Sequence, residues 1–246
     1  MKKPIPAKLR KTEYTFKAEW LEGLVQAPLN APEMPPMWSE IVDREGNKHQ
    51  ILIRPIKEEE IDPMLAFIKK YLDVEYDFYD IVGARVFAEL LAIKRKRMKD
   101  EYFFLGLENG VPVGMANGRI RDEKVNISLH TMAFKRKVNA GAVLFYAKAW
   151  YAFEICGNEE FWATFESYNG WRLGGLRMAL PTYPWPEYQH ELGGAKIFYL
   201  SKKQWEEEIK KDYLEHVAHG SFFKPNPPEE LIKKNEKIIV PDEIEV

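Results

Sequence analysis

The sequence predicts an α+β domain built on a mixed, mostly antiparallel sheet flanked by helices. Three observations predict it. Residues 102–134 carry three strands in succession, joined by short polar turns, which makes the sheet largely antiparallel. Residues 125–166 run strand, small-residue turn, apolar helix, strand, the order of a parallel crossover. Residues 58–98 hold two stretches with apolar side chains at helical spacing.

Composition excludes several classes. Of 246 residues, 46% are hydrophobic, enough for one filled core with extensions. A net charge of −2 sets up no global field to recruit nucleic acid or a membrane surface. The lone Cys156 rules out an internal disulfide framework or a cysteine zinc cluster and fits a reducing cytoplasm, and no metal is expected. The basic start MKKPIPAKLRK precedes no apolar stretch, so it does not read as a signal peptide. The longest apolar run, 140–153, is too short to span a bilayer and contains Lys148. The expectation is a soluble, cytoplasmic chain.

Taken in order, residues 1–48 read as an arm that clasps the main domain or a second subunit, with a disordered leader as the alternative. Prolines 28, 32, 35 and 36 break any long element there, while Met34, Met37, Trp38 and Ile41 are apolar enough to pack. Residues 49–201 form the domain. Gln50–Arg54 is its first strand; Glu58–Leu72 and Arg85–Met98 are helices, separated by the acidic, tyrosine-rich stretch DVEYDFYDIVG. The basic run Lys94–Arg97 suits a helix C-terminus. Strands follow at Tyr102–Leu107, Val111–Arg119 and Val125–Phe134, the first two joined by an Asn-Gly turn.

The central stretch, Val125–Phe153, begins with strand alternation, turns through Lys135–Gly141 and continues as a buried helix ending near Gly157. A helix N-terminus offers unpaired N–H groups and a dipole that favours an anion, and Asn139, Ala140, Gly141 and Ala142 leave that backbone approachable. An ordinary strand–helix connection is the plain alternative. Glu160–Glu166 is another strand. Asn169–Ala179 is a short helix whose Gly170, Gly174 and Gly175 invite close approach. Tyr188–Leu192 and Lys196–Leu200 form a last hairpin. Residues 202–246 are a charged helix, to about Ala218, and an extended tail.

The order β, α, α, β, β, β, α, β, α, β, β over residues 50–201, with a phosphate-type turn after the fourth strand, resembles the GNAT superfamily of acyl-CoA-dependent N-acyltransferases. The family's signature is Gln or Arg, two residues, Gly, one residue, then Gly or Ala. Here Arg136, Lys137, Val138, Asn139, Ala140, Gly141 stand in that order, with Asn139 in place of the first Gly. Asn tolerates a left-handed backbone. The resemblance implies acetyl-CoA, or another acyl-CoA, as cosubstrate. Its pyrophosphate would lie on the backbone of Val138, Ala140, Gly141 and Ala142, with Lys135, Arg136 or Lys137 reaching the 3′-phosphate. Its carbonyl would lie near Thr131 and Met132, and Asn169 would help place the pantetheine.

The family's Tyr, seven residues after that Asn, is replaced by Leu176; Tyr168 and Tyr146 are the nearby substitutes as general acid. His130 and Glu166 are the candidate bases, with a core-satisfied histidine and a helix-capping glutamate as the plain readings. Cys156 reads as a small structural residue. Tyr76, Tyr79, Trp171, Tyr183 and Trp185 would flank the entrance for a small, partly apolar acceptor amine. The expected function is acyl transfer from CoA to a primary amine; the alternatives are a catalytically silent acyl-CoA sensor and an assembly protein without ligand. The arm allows a homodimer.

Overall fold

The computed structural model describes residues 30–43, 45–136, 138–182, 197–218 and 220–244. Eight strands form one sheet: β1 (Met37–Val42), β2 (Lys48–Pro55), β3 (Glu101–Glu108), β4 (Val111–Ile120), β5 (Val125–Ala133), β6 (Glu160–Thr164), β7 (Ile197–Ser201) and β8 (Lys224–Pro225). Their spatial order is β7-β6-β5-β4-β3-β2-β1-β8. β5 and β6 are parallel and the other pairs antiparallel, so the sheet is mixed as the sequence predicts. The partner expected for β7 within 188–192 lies outside the described residues.

Strand β3 (EYFFLGLE) is buried along seven of its eight residues because helices cover both sheet faces. On one face α1 (Ile61–Lys69) and α2 (Tyr79–Lys94) pack Met64, Phe67, Ile68, Val86 and Leu90 onto Phe103, Leu105, Met115 and Met132. On the other, α3 (Ala140–Trp150) packs Val143, Leu144 and Ala147 onto Ile53, Phe104 and Val113. The helix formed by 202–217 adds Trp205 and Tyr213 to a third cluster with Phe145, Phe161 and Leu200.

Three elements differ from the sequence reading. Residues 37–42 are a strand paired with β2, although four prolines precede or flank the stretch; Met37 and Ile41 are buried, and alternation outweighs the prolines because all of them fall before the strand. Helix α2 starts at Tyr79, six residues earlier than expected, after Asp77 (φ 48°) and Phe78 (φ 66°) turn the chain through the left-handed region. Residues 220–244 are not simply extended: a short helix (Glu229–Lys234) buries Leu231, and Asn235 accepts the Gly110 N–H at 2.7 Å.

Candidate functional site

The site is opened by a break in the sheet. Pairing between β4 and β5 steps from Asn117↔His130 to Gly118↔Ser128, which leaves Leu129 over as a bulge. Pairing between β5 and β6 stops at the same level, Ser128↔Ala163. Beyond that point β5 continues along β4 to Ala133 and no longer pairs with β6. The bend of the bulge therefore splays the two parallel strands and exposes one backbone edge of residues 129–133.

Alternation decides which groups face the gap. The Phe134 N–H donates to Val113, so the backbone of Phe134 and Met132 faces β4 while that of Ala133 and Thr131 faces the gap. Tyr79 Oη, reaching across from α2, donates to the Ala133 carbonyl at 2.9 Å. Of the two backbone positions expected to meet an acyl carbonyl, Thr131 is the one whose N–H faces the opening. Met132 turns its donor to β4 and its side chain into the core.

The gap widens into a cavity of about 630 Å³ between the strand edge, the N-terminus of α3, the loop 77–79 and residues 164–177. At its α3 end the small residues Ala140 and Gly141 line the cavity, while the Ala142 N–H already donates to the Asn139 carbonyl at 3.0 Å. Asn139, at the expected first-Gly position, has φ 55° and ψ 20°, so it holds the left-handed turn that a glycine would otherwise supply. Val138 is anchored in the core, and Ala140, Gly141 and Ala142 line the cavity. Among the described residues a Cβ built on Gly141 would meet only the Ala133 Cβ, at 3.8 Å, so none of them crowds this backbone. The Thr131 hydroxyl is buried with no hydrogen-bond partner among the described residues, a polar atom left over beside the strand edge. A helix N-terminus with small residues, a strand edge with outward N–H groups and a surplus hydroxyl together fit a long phosphate-bearing thioester.

The basic residues are already engaged. Lys135 Nζ is 2.7 Å from Glu108 Oε2. The Arg136 guanidinium sits over the rings of Tyr76 and Tyr79, at 5.3 and 5.2 Å. Lys137 lies outside the described residues. Asn169 stands at the mouth with its amide donating to Asp77 Oδ2 at 2.7 Å, and the neighbouring Tyr168 N–H donates to Asp77 Oδ1 at 2.7 Å.

The candidate catalytic side chains separate into two groups. His130 and Glu166 both line the cavity. Glu166 does not cap the helix α4 (Tyr168–Trp171); Ser167 Oγ does, accepting from Gly170 N–H at 3.0 Å, and Glu166 forms an ion pair with Arg85. Tyr168 is 64% exposed, lies under Arg172, and is not among the cavity-lining residues. Tyr146 faces away, its hydroxyl donating to Lys210 O, and burial pushes it up to about 12. The tyrosine that does line the cavity is Tyr79, which burial also raises, keeping its phenol protonated.

Beneath His130 lies a polar cluster that local sequence pattern did not reveal. Lys148 from α3 is 1% exposed and donates to Ser128 Oγ (2.6 Å), His130 O (2.8 Å) and Asn117 O (3.3 Å). Burial pulls its ammonium down to about 7, opposed by the charge of Glu89. Glu101 is pushed up to about 8 by burial first and by Glu89 second. The one hint in the sequence was Lys148 itself, the single charge inside an apolar run. The group sets expected for a bound metal are absent among the described residues.

Of the exposed apolar side chains Phe78 lines the cavity; Tyr76 lies under Arg136, which also lines it, and Tyr168 and Trp171 stand on α4 beside the lining residues Asn169 and Gly170. Tyr183 and Trp185, also expected here, lie outside the described residues.

No protein-family model matches the chain, and no curated protein matches it. Solved structures that it resembles include an uncharacterized protein from Bacillus halodurans (12% identity, 74% of this chain and 97% of that one, TM-score 0.48). Another is Mycobacterium smegmatis RimJ in complex with CoA-disulfide (13% identity, 76% and 98%, TM-score 0.47). A third is Campylobacter jejuni N-acetyltransferase PseH in complex with acetyl coenzyme A (16% identity, 61% and 99%, TM-score 0.42). At such identities and scores these are likenesses only. The GNAT-like fold stands on the chain's own order of elements, the parallel β5–β6 crossover and the splay between those strands.

Proposed function

We propose that the protein is an acyl-CoA-dependent N-acyltransferase, moving an acetyl or other short acyl group from CoA to a primary amine by direct attack in a ternary complex. The observation that carries this reading is the splayed β5 edge running straight into a helix N-terminus that no described residue crowds. The backbone of Ala140, Gly141 and Ala142 would hold the pyrophosphate, and the Thr131 N–H would polarise the thioester carbonyl as negative charge develops on its oxygen. The fixed cleft supplies proximity between thioester and amine. His130 would take the proton that the amine must lose. Phe78, Tyr79 and Phe165 in the lining support an acceptor with a partly apolar body.

The test is thiol release from acetyl-CoA over a panel of primary amines. Release that depends on the amine supports the reading. Wild type that binds acetyl-CoA yet releases no thiol above hydrolysis contradicts turnover and leaves a silent acyl-CoA-binding protein.

A further inference from the structure

His130 is held at every polar group but one. Its N–H donates to Asn117 Oδ1 at 3.1 Å, its carbonyl accepts from Lys148 at 2.8 Å, and ring Nε2 lies 3.1 Å from Glu89 Oε1. Asn117 Nδ2 donates to Glu89 Oε2 at 2.6 Å and to Glu101 Oε1 at 2.9 Å, which uses both amide hydrogens. The remaining ring atom is Nδ1, which has no protein partner among the described residues, on a side chain that lines the cavity.

We infer that Glu89, on α2, is a positioning residue that fixes His130 as its Nε2–H tautomer and so turns the Nδ1 lone pair toward the acceptor amine; this rests on the acyltransferase reading above. An ionised carboxylate only accepts, so the hydrogen in the His130–Glu89 contact belongs to the ring, and a neutral ring protonated at Nε2 is basic at Nδ1. The amine's ammonium gives its proton to Nδ1. The freed lone pair forms the N–C bond, the C–S bond breaks, and sulfur leaves with the electron pair as thiolate, which takes up the second proton that the newly acylated nitrogen gives up. The imidazolium formed meanwhile lies against Glu89.

Three titratable groups face His130 or the amide that holds it: Glu89 from α2, Glu101 from β3 through Asn117, and Lys148 from α3. Burial first and the charge of Glu89 second push Glu101 up to about 8, which favours its neutral form. Glu89 is the carboxylate in contact with the ring that becomes cationic, at 3.1 Å from Nε2.

Nitrogen-15 NMR of histidine-labelled protein, assigned with His130→Gln, reads the tautomer directly. The expected result is a proton on Nε2 in wild type and a mixture of tautomers in Glu89→Ala. A wild-type ring protonated at Nδ1, or a tautomer unchanged in Glu89→Ala, overturns the positioning role. In kinetics with acetyl-CoA and the amine found by thiol release, Glu89→Ala should lower kcat by about 10²-fold at unchanged KM for acetyl-CoA. Glu89→Gln should move the acidic limb of kcat/KM to lower pH, because a carboxylate favours the charged ring. A raised KM with unchanged kcat, or an unmoved limb, overturns it. If Glu89→Ala fails to fold, Glu89→Gln and the wild-type spectrum still decide. Wild type that fails to bind acetyl-CoA overturns the catalytic part together with the acyltransferase reading, whereas a wrong tautomer overturns the positioning role alone.

Discussion

Lys148 Nζ donates to the carbonyl of His130 at 2.8 Å, joining the buried helix α3 to the level at which β5 parts from β6. The β-bulge disturbs the ladder there, and the ammonium serves the carbonyls of Asn117 and His130 together with the Ser128 hydroxyl. One charge in an apolar helix thereby holds the bend that opens the cleft.

That position gives stability a defined pH slope. Burial lowers Lys148 from 10.5 to about 7, so between those values the unfolded chain binds more protons than the folded one, and stability rises with pH. The contribution is full above the unfolded value and lost as pH falls through about 7. Lys148→Met should abolish this rise. At high pH it should be the less stable protein by about 1–3 kcal/mol, through orphaned carbonyls, and the gap should narrow toward neutrality. Urea midpoints across the range check it; a pH-independent difference contradicts it.

Glu101 gives the opposite slope. Raised from 4.5 to about 8, it retains its proton when folded, so its contribution is present below 4.5 and lost as pH rises through about 8. Glu101→Gln keeps an acceptor for Asn117 and removes the titration. The variant should gain on the order of 2–3 kcal/mol at neutral pH, measured as a shifted denaturation midpoint, with no gain at pH about 4.

Two glycines should respond in opposite directions to alanine. A Cβ on Gly174 would lie 1.9 Å from the Phe165 ring, which lines the cavity, so Gly174→Ala should cost about 1–3 kcal/mol by overpacking. Among the described residues a Cβ on Gly141 meets only Ala133 at 3.8 Å, and Gly141→Ala should be neutral or stabilising by up to about 1 kcal/mol through helix propensity. Melting temperatures of the two variants separate the cases.

Asp77 ties the lips of the cleft, accepting from the Tyr168 N–H and the Asn169 amide, each at 2.7 Å. Removing the carboxylate in Asp77→Ala leaves both donors to solvent. Hydrogen exchange at 168–170 should rise while global stability falls by about 1–2 kcal/mol, because Asp77 holds a left-handed backbone that Ala tolerates poorly. Unchanged exchange of the Tyr168 amide would contradict the tie.

The architecture was legible where periodicity is strong. The meander over 102–134 and the helix after Asn139 follow from alternation and from an apolar run, and Asn139 takes the left-handed backbone expected of it. Strand β1 was hidden because prolines 32, 35 and 36 dominate the local signal, whereas the decisive fact is burial of Met37 and Ile41 on a distant helix. The start of α2 was hidden because Asp77 and Phe78 adopt positive φ without a glycine to mark it. The site divides in the same way. His130, Glu166 and the small-residue turn lie near one another in sequence pattern. Glu89, Glu101, Asn117 and Lys148 come from four different elements that only the tertiary fold brings together.

The central claim is that the α3 N-terminus receives a pyrophosphate, and calorimetric titration with acetyl-CoA and CoA tests it most directly. Wild type and Gly141→Ala should bind both, while Gly141→Trp, folded by circular dichroism, should lose binding because the ring fills the space over the Ala140–Ala142 backbone. Equal affinity in wild type and Gly141→Trp, or no binding of either ligand to wild type, would contradict the account.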